Sequence, residues 1–233
     1  MKKLLFILLT LSLLPTYSQS DTKIDSLYKP DKYYLEDQLY FGISYIILKN
    51  LPDGIAQNGF SNSIKFGFIR DIPINEKRNL GFGIGLGYSR DVYYHNLRVS
   101  VDESTGNLQY QILNAGDFKT NSFTIHKIDL PVEIRIRGSR SNKFKFWRVY
   151  SGIITSYDFS AESQFTTSNV NVTYKNLKII NPIKFGLNIS AGYGLWNFNF
   201  YYGLSNIMKK GLKYNDLDIK MNDMHFGVIY YFL

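Results

Sequence analysis

The chain has 233 residues, of which 45% are hydrophobic and 16% aromatic, and a formal net charge of +8. That length suits one domain, and the absence of cysteine excludes a disulfide framework, a thiolate metal site and a lipid-modified N-terminal Cys. The basic residues are spread along the sequence instead of forming one run, which points to a solvated surface and away from a nucleic-acid patch.

The first twenty residues, MKKLLFILLTLSLLPTYSQS, place Lys2 and Lys3 before an apolar stretch from Leu4 to Leu14 and a small or polar exit from Thr16 to Ser20. This is the layout of a secretory signal peptide, with cleavage expected after Ser18 or Ser20. The apolar stretch is too short to span a bilayer, and no later one reaches the roughly 18 residues of a transmembrane helix. Residues 21–37 are polar and interrupted by Pro30, so they read as a periplasmic lead-in.

From residue 38 onward the pattern is that of strands. Leu39–Leu48 is the first, and Lys49–Gly59, with Pro52 and Gly54, is a loop. Phe60–Arg70 sets Ile64, Phe66 and Phe68 against Ser63, Lys65 and Gly67, and Asp71–Asn79 reads as a charged turn. In the third strand, Leu80–Ser89, every even position is large and apolar and every odd one is Gly or Ser. With a period of two, one face is greasy and the other nearly bare. Such a strand suits a wall between lipid and the crowded lumen of a small barrel.

Beyond Ser89 the alternation weakens until about Asn121, with Leu97–Val101 and Leu108–Leu113 forming a hairpin about DESTG. The fourth strand ends in Ile128–Arg137, and Gly138–Lys145 is a basic turn. Phe146–Phe159, Ile183–Gly194, Trp196–Leu204 and Met224–Leu233 complete the set, the last with Phe226, Val228, Tyr230 and Phe232 on one face. The expected fold is therefore all-β: an eight-stranded antiparallel transmembrane barrel spanning 38–233. The first, third, fifth and seventh connections are longer than the second, fourth and sixth, as outer loops exceed periplasmic turns. A soluble lipocalin-like barrel would turn the glycine face toward water, which argues against it.

In order along the chain, DSLY, EDQLYFGISY, FGFIRDIPIN, LGFGIGLGYS, LPVEIRIRGS, FKFWRVYSG, IKFGLNISAGYG and YYGLSNI, with the terminal aromatic strand, resemble the PorT-like outer-membrane barrels of Bacteroidetes. The resemblance runs from Asp25 to Leu233 and is carried most by Asp25–Tyr45, Phe66–Ser89 and Leu130–Gly152. It implies a part in type IX protein secretion across the outer membrane.

The chemistry expected inside the barrel is electrostatic. Glu133, Arg135, Arg137, Arg148 and Lys184 fall on the lumen face, where charges of both signs must pair. An eight-stranded lumen has room for little besides its own side chains, so an open channel is not expected. A triad of Asp91 and His95 with Ser89 or Ser100 can be drawn, but their spacing does not select it. Asp216, Asp218 and Asp223 lack the spacing of an EF-hand, and no cofactor is expected. Two functions remain open. One is a non-enzymatic accessory or assembly part of a secretion machine, meeting lipid, lipopolysaccharide and protein partners. The other is a stand-alone barrel that binds an extracellular ligand or supports the envelope, with lipid A modification as a lesser variant. Residues 21–37, Asp71–Asn79 and Gly138–Lys145 are the candidate partner contacts.

Overall fold

A computed structural model describes residues 37–102, 104, 108–138, 146–214 and 217–232. The expected leader and nearly all of the lead-in, the body of the basic turn and Leu233 lie outside the described residues. In chain order the strands are β1 (Gln38–Lys49), β2 (Asn62–Pro73), β3 (Leu80–Tyr94), β4 (Leu97–Val101), β5 (Leu108–Ile112), β6 (Thr120–Arg137), β7 (Trp147–Thr166), β8 (Asn171–Tyr174), β9 (Ile183–Tyr193), β10 (Trp196–Gly203), β11 (Lys213–Tyr214), β12 (Leu217–Asp218) and β13 (Asn222–Phe232). No described residue is helical.

Eight of these strands form the wall, in the order β1, β2, β3, β6, β7, β9, β10, β13. Every neighbour is antiparallel, and β13 pairs back onto β1 from Leu39↔Phe232 to Lys49↔Asn222. Closure satisfies the backbone groups that an open edge would leave bare in lipid. The ladder between β3 and β6 lapses only opposite Leu130 and Pro131, where proline has no N–H to give. The short pairs β4–β5 and β11–β12, and β8 against the far end of β7, lie in the long connections.

The outward face carries Leu39, Phe41, Ile43, Phe66, Phe68, Phe82, Ile84, Leu86, Leu130, Ile134, Leu187, Ile189, Phe198 and Val228, all exposed. A continuous apolar belt of this extent is stable only against lipid. Of the terminal-strand residues, Phe226, Val228 and Phe232 are exposed on this belt, and Tyr230 stacks edge-on against Trp196 at 4.8 Å.

Three strands run further than the alternation suggests. Up to Ser89 in β3, Lys127 in β6 and Asp158 in β7, inward positions are polar or glycine apart from Pro131 and Ile154. Above that level the inward positions become Tyr93, Ile125, Phe123, Ala161 and Phe165, while Arg90 turns outward. In β7 the change coincides with a bulge. Lys127 pairs with Asp158 and His126 with Ser160, so Phe159 is the extra residue and the inward parity switches from even to odd. At the opposite end β2 continues through Pro73, so Asp71 belongs to the wall and not to the turn.

Candidate functional site: a filled lumen under a closed cap

At the short-turn end the lumen is held by a buried charge cluster. Arg135 Nη1 lies 3.1 Å from Asp71 Oδ2 and its Nε 3.3 Å from Glu133 Oε2, while Nη2 donates to Gln38 Oε1 at 3.0 Å. Arg137 pairs with the same Asp71 oxygen and donates from Nε to the Arg78 carbonyl at 2.8 Å. The guanidinium of Arg135 lies 4.0 Å from the Tyr150 ring centroid. The glycines of β3 make room for this: a Cβ at Gly83 would strike the Arg135 side chain and one at Gly81 would strike Asp71. The bare face expected for β3 is therefore the space occupied by its neighbours' side chains, charged at Gly81 and Gly83, and Ile69 and Tyr40 at Gly85 and Gly87.

Toward the middle, Asn188 Nδ2 donates to Glu133 Oε1 at 3.2 Å and Asn199 Nδ2 to Asn188 Oδ1 at 2.9 Å. Lys65 Nζ donates to Asn199 Oδ1 at 2.5 Å. Asp129 accepts from the hydroxyls of Ser89 and Ser156. The gap bounded by Ser63, Lys65, Ser89, Lys127, Asp129 and His225 holds about 20 Å³, room for one water and no solute. Tyr40 reaches over Gly67 and Gly87, and Tyr201 over Gly186, so that no Cβ fits at any of the three.

Below the outer end a second charged layer crosses the bore. Lys127 Nζ lies 2.6 Å from Asp91 Oδ2, and Lys184 Nζ lies 2.8 Å from Asp158 Oδ2. Tyr93 Oη donates to Asp223 Oδ2 at 2.7 Å, and His225 Nε2 lies 2.9 Å from that same oxygen. Donor atoms of Asp91, Asp223 and His225 lie within 4.8 Å of one another, close enough for a metal ion. Lys127 and Tyr93 already point at those carboxylates, so the cluster has its own cation and proton donor.

Above this layer the character changes. Ile46, Leu48, Tyr93, Phe123, Ile125 and Ala161 from the wall pack against residues of all four long connections. Ile55 comes from the first, Leu97 and Val99 from the second, Leu177, Ile179 and Ile180 from the third, and Ile207, Met208, Ile219 and Met221 from the fourth. The connections are pinned by backbone bridges, Gln57 to His95 and Ile180 to Met208. The result is an ordinary water-excluding core that closes the mouth. His95 is buried in it, accepting at Nδ1 from the Leu97 N–H at 3.2 Å, with its ring edge-on to Phe123 at 4.2 Å. Burial lowers its pKa to about 3, against a smaller opposing effect of the Leu97 hydrogen bond, so it is a neutral core histidine.

Of the charged residues read from sequence, the fold brings Glu133, Arg135 and Arg137 together. Lys184 sits in the other charged layer, and Arg148, opposite Arg137 in the β6–β7 ladder, has its guanidinium 4.5 Å from the Phe146 ring centroid. The triad is not assembled: Asp91 holds Lys127, Ser89 bonds Asp129 and His95 faces the cap. Asp71, Asp91, Lys127, Asp129, Asp158, Asp223 and His225 were not picked out as lumen charges from sequence. Parity would have found Asp71, which continues the inward series Ser63, Lys65, Gly67, Ile69.

The outer membrane protein beta-barrel domain family matches residues 17–209. The chain belongs to this family of outer-membrane barrels. No curated protein matches it. The match points to the outer membrane as the location of the barrel, with the apolar belt in lipid, the short turns toward the periplasm and the capped loops outside.

Proposed function

We propose that this outer-membrane barrel is a non-enzymatic accessory or assembly component of type IX protein secretion, acting through its periplasmic segments and outer surface. The observation that carries the reading is the lumen: side chains paired across the bore fill it, and the cap core seals its outer mouth. A barrel without a solute path does its work by contact. The secretion assignment itself is supported by the resemblance of Asp25–Tyr45, Phe66–Ser89 and Leu130–Gly152 to PorT-like barrels. Residues 21–37, the turn after β2 with exposed Glu76 and Lys77, and Gly138–Lys145 are the partner-facing segments. Lipid and lipopolysaccharide surround the belt.

Deleting the gene in its own host and following proteins that carry type IX export signals tests this. Their loss from the medium with accumulation in the periplasm, reversed by the intact gene, is the expected result. Unchanged export removes the secretion role and leaves a stand-alone barrel.

A further inference from the structure

The four outer connections are unequally charged. The first, residues 50–61, and the second, 95–119, each carry a net charge of −1. The third, 167–182, holds Lys175 and Lys178 and no acid, and the fourth, 204–221, holds four lysines and two aspartates, so the two together reach +4. The fourth also encloses a cavity of about 230 Å³, far larger than the gap left in the lumen. Its base is apolar, because Ile219 is buried in the cap core and Leu212 packs against that core. Its rim is cationic: Lys209, Lys210 and Lys220 line it and are exposed. Among the described residues no acid pairs with any of the three. Like charges gathered at one opening repel one another, and an anion between them relieves that repulsion.

The backbone holds this opening in place. The Lys209 N–H donates to the Ile179 carbonyl at 2.8 Å, the Ile219 N–H to that of Leu212 at 2.8 Å and the Ile207 N–H to that of Met221 at 2.8 Å. Gly211, at φ +85°, turns the chain directly after the lysine pair, in a conformation that suits glycine. The height of the cavity is set by the belt. Leu204 is the last exposed apolar residue beyond β10, and Asn206 lines the cavity two residues later. The cavity therefore begins where the lipid belt ends, at the level of the outer-leaflet headgroups.

We propose that this cavity binds the phosphorylated sugar headgroup of lipopolysaccharide, with its phosphate among Lys209, Lys210 and Lys220 and its sugar against Leu212 and Ile219. Lysine holds phosphate as a point charge and makes no demand for a planar fork, which suits flexible ammonium groups around one opening. Asp216 and Asp218 belong to the same connection, and with both counted it is still +2. The site rests on the outer-membrane location and is independent of the secretion role.

The test is titration calorimetry of the full-length protein, folded in an uncharged detergent, with deacylated lipopolysaccharide from its own host, a soluble phosphorylated oligosaccharide. Saturable binding is expected, weakening as sodium chloride screens it. Lys209→Gln, Lys210→Gln and Lys220→Gln are each expected to lower the affinity roughly fivefold, and the three together about a hundredfold. All three positions are exposed, so the urea midpoint is expected to stay where it is. Lys119→Gln removes the same charge from the exposed second connection and is expected to leave the affinity unchanged. Absence of saturable binding, an equal loss from Lys119→Gln, or native affinity in the triple variant overturns the site. Inorganic phosphate is expected to compete only weakly, since it lacks the sugar; binding as tight as that of the oligosaccharide overturns the headgroup as the ligand.

Discussion

The membrane half of the lumen and the cap above it are built on the same strands by opposite rules. In the membrane half, β1, β3, β6 and β7 point Gln38, Tyr40, Gly83, Ser89, Glu133, Arg135 and Ser156 inward and apolar groups outward. A few residues further they point Ile46, Leu48, Tyr93, Phe123, Ile125 and Phe165 inward, and Arg90 outward. The difference follows from the surroundings. Where lipid takes the outer face, the hydrophobic effect gives no reason to fill the inside with apolar groups, and pairing holds the interior. Where water surrounds the wall, the inside must be the apolar phase. The bulge at Phe159 re-aims β7 at this boundary.

The two regions are expected to break differently. The largest effect belongs to the lumen: Asp71→Asn leaves Arg135 and Arg137 short of a buried counter-charge and costs about 3–5 kcal/mol, read as a drop in the urea midpoint of the whole barrel. In the cap, Leu97→Ala empties a fully buried position at about 2–5 kcal/mol. Hydrogen exchange is expected to show the long connections losing protection while β9 and β10 keep theirs. Gly87→Ala, which forces Tyr40 aside, costs about 1–3 kcal/mol and is expected to leave the cap's exchange rates alone.

Acid separates the regions further. The folded pKa of His95 is lowered to about 3 from an ordinary 6.5, so unfolding of the cap takes up a proton as pH falls through this window. Stability of the cap is full above pH 6.5 and is lost downward at about 1.4 kcal/mol per unit until pH 3. Exchange in β4 and β5 is expected to quicken over that range, and His95→Asn to flatten the dependence. The smallest effect is outside both regions. Lys175 and Glu162 meet at 4.0 Å with the lysine largely in solvent, and Lys175→Ala is expected to change the urea midpoint by no more than about 0.5 kcal/mol of stability.

The same boundary explains what could be read from the chain. The alternation of Leu80–Ser89 and Ile128–Arg137 identifies wall strands, because in these two stretches the outer face is apolar and the inner face small or charged. It ends at Ser89 and Phe159 only because this arrangement inverts there. The strands continue, and a search for outward apolar residues stops at the edge of the belt. Charges on regular stretches, such as Glu133 and Arg135, are legible by parity. Their partners are not, since Asp71 meets Arg135 across strands distant in sequence, and Asp71 itself sits beside Pro73 where a turn was the natural reading. The cap was illegible for a different reason. Ile55, Leu97, Ile179 and Met208 are scattered through polar connections without a period, and only the closed ring brings them together.

Among the described residues this barrel has no open bore: paired side chains fill the lumen and the cap closes it. The most direct measurement is ionic conductance after incorporation of the folded, full-length protein into a planar lipid bilayer. The protein is expected to be electrically silent, with no step openings at moderate voltage. Regular, reproducible steps from the native protein would mean that a path for ions runs through the lumen.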